Sequence, residues 1–99
     1  MKSILQEDES RCFICGQPAG WDDPLDWHHI FGGALRRKSE RLGLVVRIHH
    51  SKCHIFGRES VHKCAELSRE LKRKAQQACM EHYGWTEEQF RQEFYQSYL

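Results

Sequence analysis

Cysteine and histidine residues occur in this sequence at spacings that suit a metal site. Cys12 and Cys15 are separated by two residues, and the same gap recurs downstream between His50 and Cys53. Thiolates and imidazoles at such spacings hold structural zinc, commonly as a closed tetrahedral set of three cysteines and one histidine. The sequence therefore predicts a zinc site made of these three cysteines and either His50 or its neighbour His49. Buried free cysteines are the alternative.

Two adjacent histidines, His28 and His29, indicate further chemistry. They lie in an apolar and aromatic segment, residues 25–31, which is predicted as a short strand that Gly32 and Gly33 end. Neighbouring side chains on a regular strand point to opposite faces, so the pair can share one site only at a strand end or a bulge. One imidazole could then bind a metal and the other act as a general base, because imidazole titrates near neutral pH.

Two strands and two helices are expected to position these groups. Residues 44–48 are rich in β-branched side chains and predict the second strand. Apolar residues recur every three or four positions over residues 61–83, which predicts a long helix with Ser60 as N-cap and Gly84 as C-cap. A shorter helix should follow, since "TEEQ" at 86–89 matches a capping box. Its aromatic face is expected in the core and consists of Phe90, Phe94 and Tyr98.

Composition narrows the class of protein. At 99 residues the chain is expected to form a single domain, and its net charge of +1 neither requires nor excludes nucleic acid. No signal peptide is expected, and five cysteines are an odd number, which favours a reducing, cytoplasmic location over a disulfide framework. No apolar run approaches the roughly 20 residues of a membrane span. Cys64 and Cys79 lie on the apolar stripe of the long helix and are interpreted as core residues.

The motifs C-x-x-C, HHIFGG, LVVRIHHSKCH and VH together resemble those of the HNH endonucleases, the ββα-metal or His-Me finger superfamily, in its small phage-type form. The resemblance covers residues 12–62 and implies an α+β fold, in which a zinc knuckle, a β-hairpin and a helix form a ββα-metal finger. Residues 1–10 would be a flexible lead-in, and a helical part at residues 60–99 would complete one HNH-type domain over residues 1–99. A phage-encoded protein of this type would act in the cytoplasm of a bacterial host.

The resemblance also implies roles for individual histidines. His29 would be the general base, His28 and His54 would bind a catalytic divalent cation, and His62 could complete that site. Imidazole ligands suit Zn²⁺ or Ni²⁺, whereas a carboxylate from Asp26 would shift the preference towards Mn²⁺ or Mg²⁺. The chain contains no asparagine, the residue that gives the family name its middle letter. Either another group orients His29 or the site is degenerate.

The activity that the resemblance implies is hydrolysis of phosphodiester bonds in DNA, which requires cationic side chains that hold the backbone. The residues predicted to contact DNA are Arg36, Arg37 and Lys38 between the two strands and, secondarily, Arg47 and Arg58. A solvated face is the simpler explanation of such basic runs. The alternative function is a non-catalytic, zinc-stabilised module that binds DNA or a protein.

Overall fold

The computed structural model describes residues 1–55 and 64–99 of the chain. It is a small α+β protein with a two-stranded antiparallel sheet and several helices, which confirms the predicted class. In chain order the elements are strand β1 (Leu25–His29), a 3-10 turn (Gly33–Leu35), helix α1 (Arg36–Leu42), strand β2 (Val45–His49), a π-helical turn (His50–Ile55), helix α2 (Ala65–Tyr83) and helix α3 (Glu87–Phe94). The π-helical turn is named the 50–55 turn.

The sheet divides the candidate residues between its two faces. The strands pair without interruption along β1, and the last pair sets His29 opposite Val45. Side chains alternate between faces along a strand, so Asp26 and His28 lie on one face. His29 lies on the other face together with His49, which is paired with the first residue of β1. The hairpin alone therefore separates two groups of potential ligands.

Helix α1 fills the connection between the strands and fixes where β2 begins. It ends at Gly43, whose φ of +79° is left-handed, and a Cβ at this position would lie 2.8 Å from Cγ2 of Ile4. Only glycine fits there without a shift of the N-terminal segment. Inside the helix, the buried Ser39 hydroxyl donates to the Leu44 carbonyl (2.6 Å) and accepts from the Phe31 N–H (3.4 Å). These bonds hold the start of β2 beside the end of β1.

Helix α2 has Cys64 as its N-cap, with the sulfur accepting the N–H of Leu67 at 3.4 Å. The predicted N-cap, Ser60, lies outside the described residues. Gly84 is the C-cap, as predicted, and Cys79 is fully buried in the core. None of the described helices combines the length and the apolar character that crossing a membrane requires.

An aromatic cluster joins helix α3 to the segment after β1. The ring centroid of Phe31 lies 5.9 Å from that of Phe90, 4.6 Å from that of Phe94 and 5.4 Å from that of Tyr98. The predicted aromatic face is therefore in the core, and the predicted capping box of α3 is present. Tyr98 lies beyond the end of α3 and is held there by buried Gln76, whose Oε1 accepts the Tyr98 N–H at 2.7 Å.

Part of the N-terminal segment contacts the rest of the fold. Ser3 is buried, and the N–H of Ile4 donates to the Gly43 carbonyl at 2.9 Å. The Gln6 side chain accepts the N–H of Arg47 at 2.7 Å. Within the segment expected as a flexible lead-in, Ile4 therefore contacts the end of α1 and Gln6 contacts β2.

Candidate metal centre

Four potential metal ligands meet between the cysteine knuckle and the end of β2. Cys12, Cys15, His49 and Cys53 each offer one ligand atom, and these atoms lie within 4.8 Å of one another. We name this set the thiolate cluster. The Nδ1 atom of His49 lies 3.3 Å from the Cys15 sulfur and 3.9 Å from the Cys53 sulfur. Zinc bonds of about 2.3 Å to sulfur and 2.0–2.1 Å to nitrogen give a tetrahedral S···N edge of roughly 3.6 Å. The cluster could therefore hold a metal such as zinc.

Hydrogen bonds around the thiolate cluster orient its ligands. The Cys12 sulfur accepts the backbone N–H groups of Ile14 (3.4 Å) and Cys15 (3.5 Å). The Nε2–H of His49 donates to the Pro18 carbonyl at 2.9 Å, which leaves the Nδ1 lone pair directed at the sulfurs. Metal-binding histidines generally donate their second ring N–H to a carbonyl or carboxylate in this way.

The thiols of the cluster differ in acidity. Burial raises the pKa of the Cys12 thiol, but hydrogen bonds from backbone N–H groups, including that of Cys15, together outweigh burial and lower it to about 7. Burial and the neighbouring Cys12 thiol raise the pKa of Cys53 to about 12. Cys12 therefore ionises before Cys53. Since metals bind thiolates, metal uptake must release protons.

The structure distinguishes between the two histidines that the sequence left open as the fourth ligand of this site. The two-residue gap before Cys53 favoured His50, but the histidine that joins the three sulfurs is His49, which is 6% exposed. After β2 the chain winds into the 50–55 turn, and residues four apart in a helical turn lie on the same side. His49 and Cys53 have this separation. His50 is directed to a second set of residues.

That second set, named the histidine cluster, consists of Asp26, His50 and His54. One carboxylate oxygen of Asp26 lies 2.5 Å from Nδ1 of His50 and 3.1 Å from Nδ1 of His54. Partial burial raises the pKa of the Asp26 carboxyl, but the two histidines together lower it below its usual value. The three ligand atoms lie within 4.8 Å of one another, and all three residues are partly exposed. Two imidazoles and one carboxylate can bind a divalent cation and leave positions open to other ligands.

A shallow cleft of about 270 Å³ lies beside the histidine cluster. The ring of His28 contacts that of His54 edge-on, with 5.1 Å between centroids. The residues that line the cleft are Trp27, His28, His29, Gly32, Gly33, Arg36 and His54. Of the predicted cation ligands, His54 is thus in the cluster and His28 adjoins it, whereas His62 lies outside the described residues.

His29 is the last residue of β1, and its ring reaches helix α1. Its Nε2 atom lies 3.2 Å from a carboxylate oxygen of Glu40, and the His29 side chain is only 9% exposed. The register through His29 is regular, so a strand end rather than a bulge lets His28 and His29 border one cleft. Sequence reasoning missed Glu40, since nothing in the spacing marks it as a partner of His29.

The basic run between the strands divides into two parts. Arg36 lines the cleft, and Arg37 is exposed at the start of α1. Lys38 instead pairs with Glu93 of helix α3, with 2.9 Å between Nζ and the carboxylate, and donates to the Glu93 backbone carbonyl at 2.7 Å. The structure therefore gives Lys38 a role in joining α1 to α3.

Arg47 also has partners within the fold. Its guanidinium donates to the Leu25 carbonyl at 3.2 Å and lies over the ring of Trp27, 5.2 Å from the centroid. These contacts stabilise the hairpin between its strands. Arg58, the remaining predicted DNA contact, lies outside the described residues.

Comparison with known proteins identifies no relative of this chain. No family model, no curated protein and no solved structure matches this chain. The resemblance to HNH endonucleases therefore depends on the sequence motifs, and the site is best judged by the arrangement of its residues.

Proposed function

We propose that this chain is a metal-dependent endonuclease of the HNH type, in which the zinc knuckle, the hairpin and the following turn serve as a ββα-metal finger. The observation that supports this most directly is the composition of one surface. An open cluster of Asp26, His50 and His54 adjoins a cleft that is also lined by His29 and Arg36. Phosphodiester hydrolysis requires a metal site, a general base and a positively charged side chain that binds phosphate.

His29 would take the proton from the attacking water. A carboxylate can only accept a hydrogen bond, so the contact with Glu40 places the ring proton on Nε2 and leaves Nδ1 as the basic nitrogen. A neutral imidazole held in one tautomer is an effective general base near neutral pH. Glu40 would thus supply the orientation for which this chain has no asparagine.

Substrate charge would be neutralised by the histidine cluster beside the cleft. A divalent cation held by Asp26, His50 and His54 would stabilise the negative charge on the phosphate and on the leaving oxygen. Ligands of this kind suit Zn²⁺, Ni²⁺ or Mn²⁺ better than Mg²⁺. Arg36 would hold an adjacent phosphate, and His28 would support the ring of His54, against which it packs.

The alternative is a zinc-stabilised module that binds DNA or a protein without cleaving it. The thiolate cluster fits this function equally well, because a closed structural site contributes only stability. The absence of asparagine from the chain favours it. The two functions differ in whether the cleft performs chemistry.

A plasmid-nicking assay with added Mn²⁺, Ni²⁺ or Zn²⁺ tests the proposal. His29→Ala should retain DNA and metal binding but lose about 10²–10⁴-fold in cleavage rate, the usual effect of removing a general base. Raising the pH should restore part of the rate. Glu40→Ala should lower the rate, whereas Glu40→Gln, which can still accept the ring N–H, should retain more of it.

Exposed His82 on helix α2 provides the matched control, and His82→Ala should cleave like the wild type. His28→Ala and His54→Ala should weaken binding of the added cation, with partial rescue at high concentration. If His29→Ala loses the cation and His28→Ala does not, His29 rather than His28 acts at the cation site. Cleavage at the wild-type rate by all three cleft variants would show that the cleft is not the catalytic site, and absence of metal-dependent cleavage by the wild type would leave the binding module.

A further inference from the structure

The two clusters take ligands from the same short segment. The thiolate cluster uses His49 and Cys53, and the histidine cluster uses His50 and His54. Each pair is four residues apart, and the second pair is displaced from the first by one residue. One backbone conformation over residues 49–54 therefore determines the ligand positions of both sites.

This segment is anchored to the same stretch of chain that supplies Asp26. The Asp23 carboxylate accepts the N–H groups of Ser51 (2.7 Å) and Lys52 (3.1 Å), and the N–H of His50 donates to the Pro24 carbonyl at 2.8 Å. A change in the winding of the 50–55 turn would therefore move His50 and His54 relative to Asp26. It would also move His49 and Cys53 relative to the knuckle.

Charge does not oppose occupancy of both sites. The thiolate cluster has three sulfurs, and as thiolates these carry one more charge than a zinc ion neutralises. A filled thiolate cluster is therefore a net anion and does not repel a second cation bound nearby. Whether filling one site raises or lowers the affinity of the other therefore depends on the backbone segment that they share.

We propose that the two sites are coupled, so that zinc in the thiolate cluster orders residues 49–54 and thereby raises the affinity of the histidine cluster for a second divalent cation. The coupling concerns the cation site of the proposed function but does not depend on cleavage. By reciprocity, the second cation must stabilise zinc in the thiolate cluster by the same factor. Coupling between sites is typically about 5–150-fold in affinity.

The test uses the full chain loaded with one equivalent of zinc, and Mn²⁺ as the second cation. Free Mn²⁺ is measured by electron paramagnetic resonance, which gives its affinity. Zinc retention is measured as the rate at which Cys12, Cys15 and Cys53 are alkylated, mapped by mass spectrometry, because zinc must leave before these sulfurs react. When zinc rebinds faster than the sulfurs are alkylated, this rate follows the zinc affinity, and saturating Mn²⁺ should slow it about 5–150-fold.

His54→Ala removes a ligand of the histidine cluster and none of the thiolate cluster, so Mn²⁺ should no longer slow its alkylation. His82→Ala should respond like the wild type. Unchanged alkylation at Mn²⁺ concentrations that fill the site would show that the sites are independent and would overturn the proposal. Absence of Mn²⁺ binding to the zinc-loaded chain would overturn it as well. Since no DNA is present, a protein without nuclease activity can still show the coupling.

Discussion

Replacing either of two adjacent histidines with alanine should affect zinc binding differently: one variant should lose zinc and the other should keep it. His49→Ala removes a ligand of the thiolate cluster and the hydrogen bond to Pro18, whereas His50→Ala removes a ligand of the histidine cluster and none of the thiolate cluster. The lost hydrogen bond alone is worth about 1 kcal/mol. That corresponds to a fall of about 4–8 °C in Tm for a domain of roughly this size.

Loss of the metal would cost far more than the hydrogen bond. Structural zinc contributes roughly 10–16 kcal/mol to the folding of small zinc domains. The whole stability of a typical domain is only about 5–15 kcal/mol. His49→Ala should therefore lose zinc to a chelator and unfold at a concentration that the wild type withstands. The contact between His50 and Asp26, which is an ion pair only when the imidazole is protonated, is partly exposed, with side-chain exposures of 43% and 31%. Such pairs are worth about 0–1 kcal/mol, so His50→Ala should keep its zinc.

The assay combines elemental analysis of chelator-treated protein with thermal unfolding followed by circular dichroism. We expect one zinc per chain in the wild type and in His50→Ala, and less than one in His49→Ala. His82→Ala, an exposed substitution on α2, controls for the loss of an imidazole. Chelator-resistant zinc in His49→Ala together with its loss from His50→Ala would refute the ligand assignment.

Three further predictions concern the surroundings of the site. Thr86→Ala should lower stability by about 1 kcal/mol in calorimetry, because the hydroxyl caps helix α3. The double variant Arg36→Ala, Arg37→Ala should reduce the slope of log affinity for DNA against log salt concentration by about one unit per lost phosphate contact. An unchanged slope would show that these two arginines are only a solvated surface. Partial burial raises the pKa of the Asp23 carboxyl, but N–H groups of the 50–55 turn lower it below its usual value. Its contribution to stability should be complete above the unfolded pKa of about 4 and fall as acid protonates it, so Asp23→Asn should flatten a stability curve measured below that pH.

The elements with strong local signals could be predicted from the sequence. A β-branched run predicted β2 to within one residue, and the capping box and Gly84 predicted the helix ends they mark. These features depend on side chains within a few residues of one another, so local sequence contains the necessary information. The aromatic core face was predictable for the same reason, although Tyr98 reaches it through a turn after α3.

The types of residue in the candidate site could be predicted from the sequence, but the residues that each of them contacts could not. His29 meets Glu40 across a separation of 11 residues, and Ser51 meets Asp23 across 28. Such pairs depend on how α1 and the hairpin pack, which no local spacing reports. The sequence left the choice between His49 and His50 open for a related reason. The two-residue gap to Cys53 is a distance along the chain. Which histidine meets Cys53 depends instead on the residue at which strand β2 ends and the helical turn begins.

That transition explains why one short segment can serve two kinds of site. Up to His49 the chain is a strand, so His49 and His50 diverge to opposite sides; beyond it the chain is helical, so residues four apart converge. The sequence "HHSKCH" thus contains two doublets, His49–His50 and Cys53–His54, whose first members meet and whose second members meet. The pair His49 and Cys53 includes a sulfur and is buried, whereas the pair His50 and His54 has two imidazoles and is partly exposed. A single residue inserted between the doublets would break both pairs at once, which makes the spacing of the doublets a stricter requirement than the identity of any residue between them.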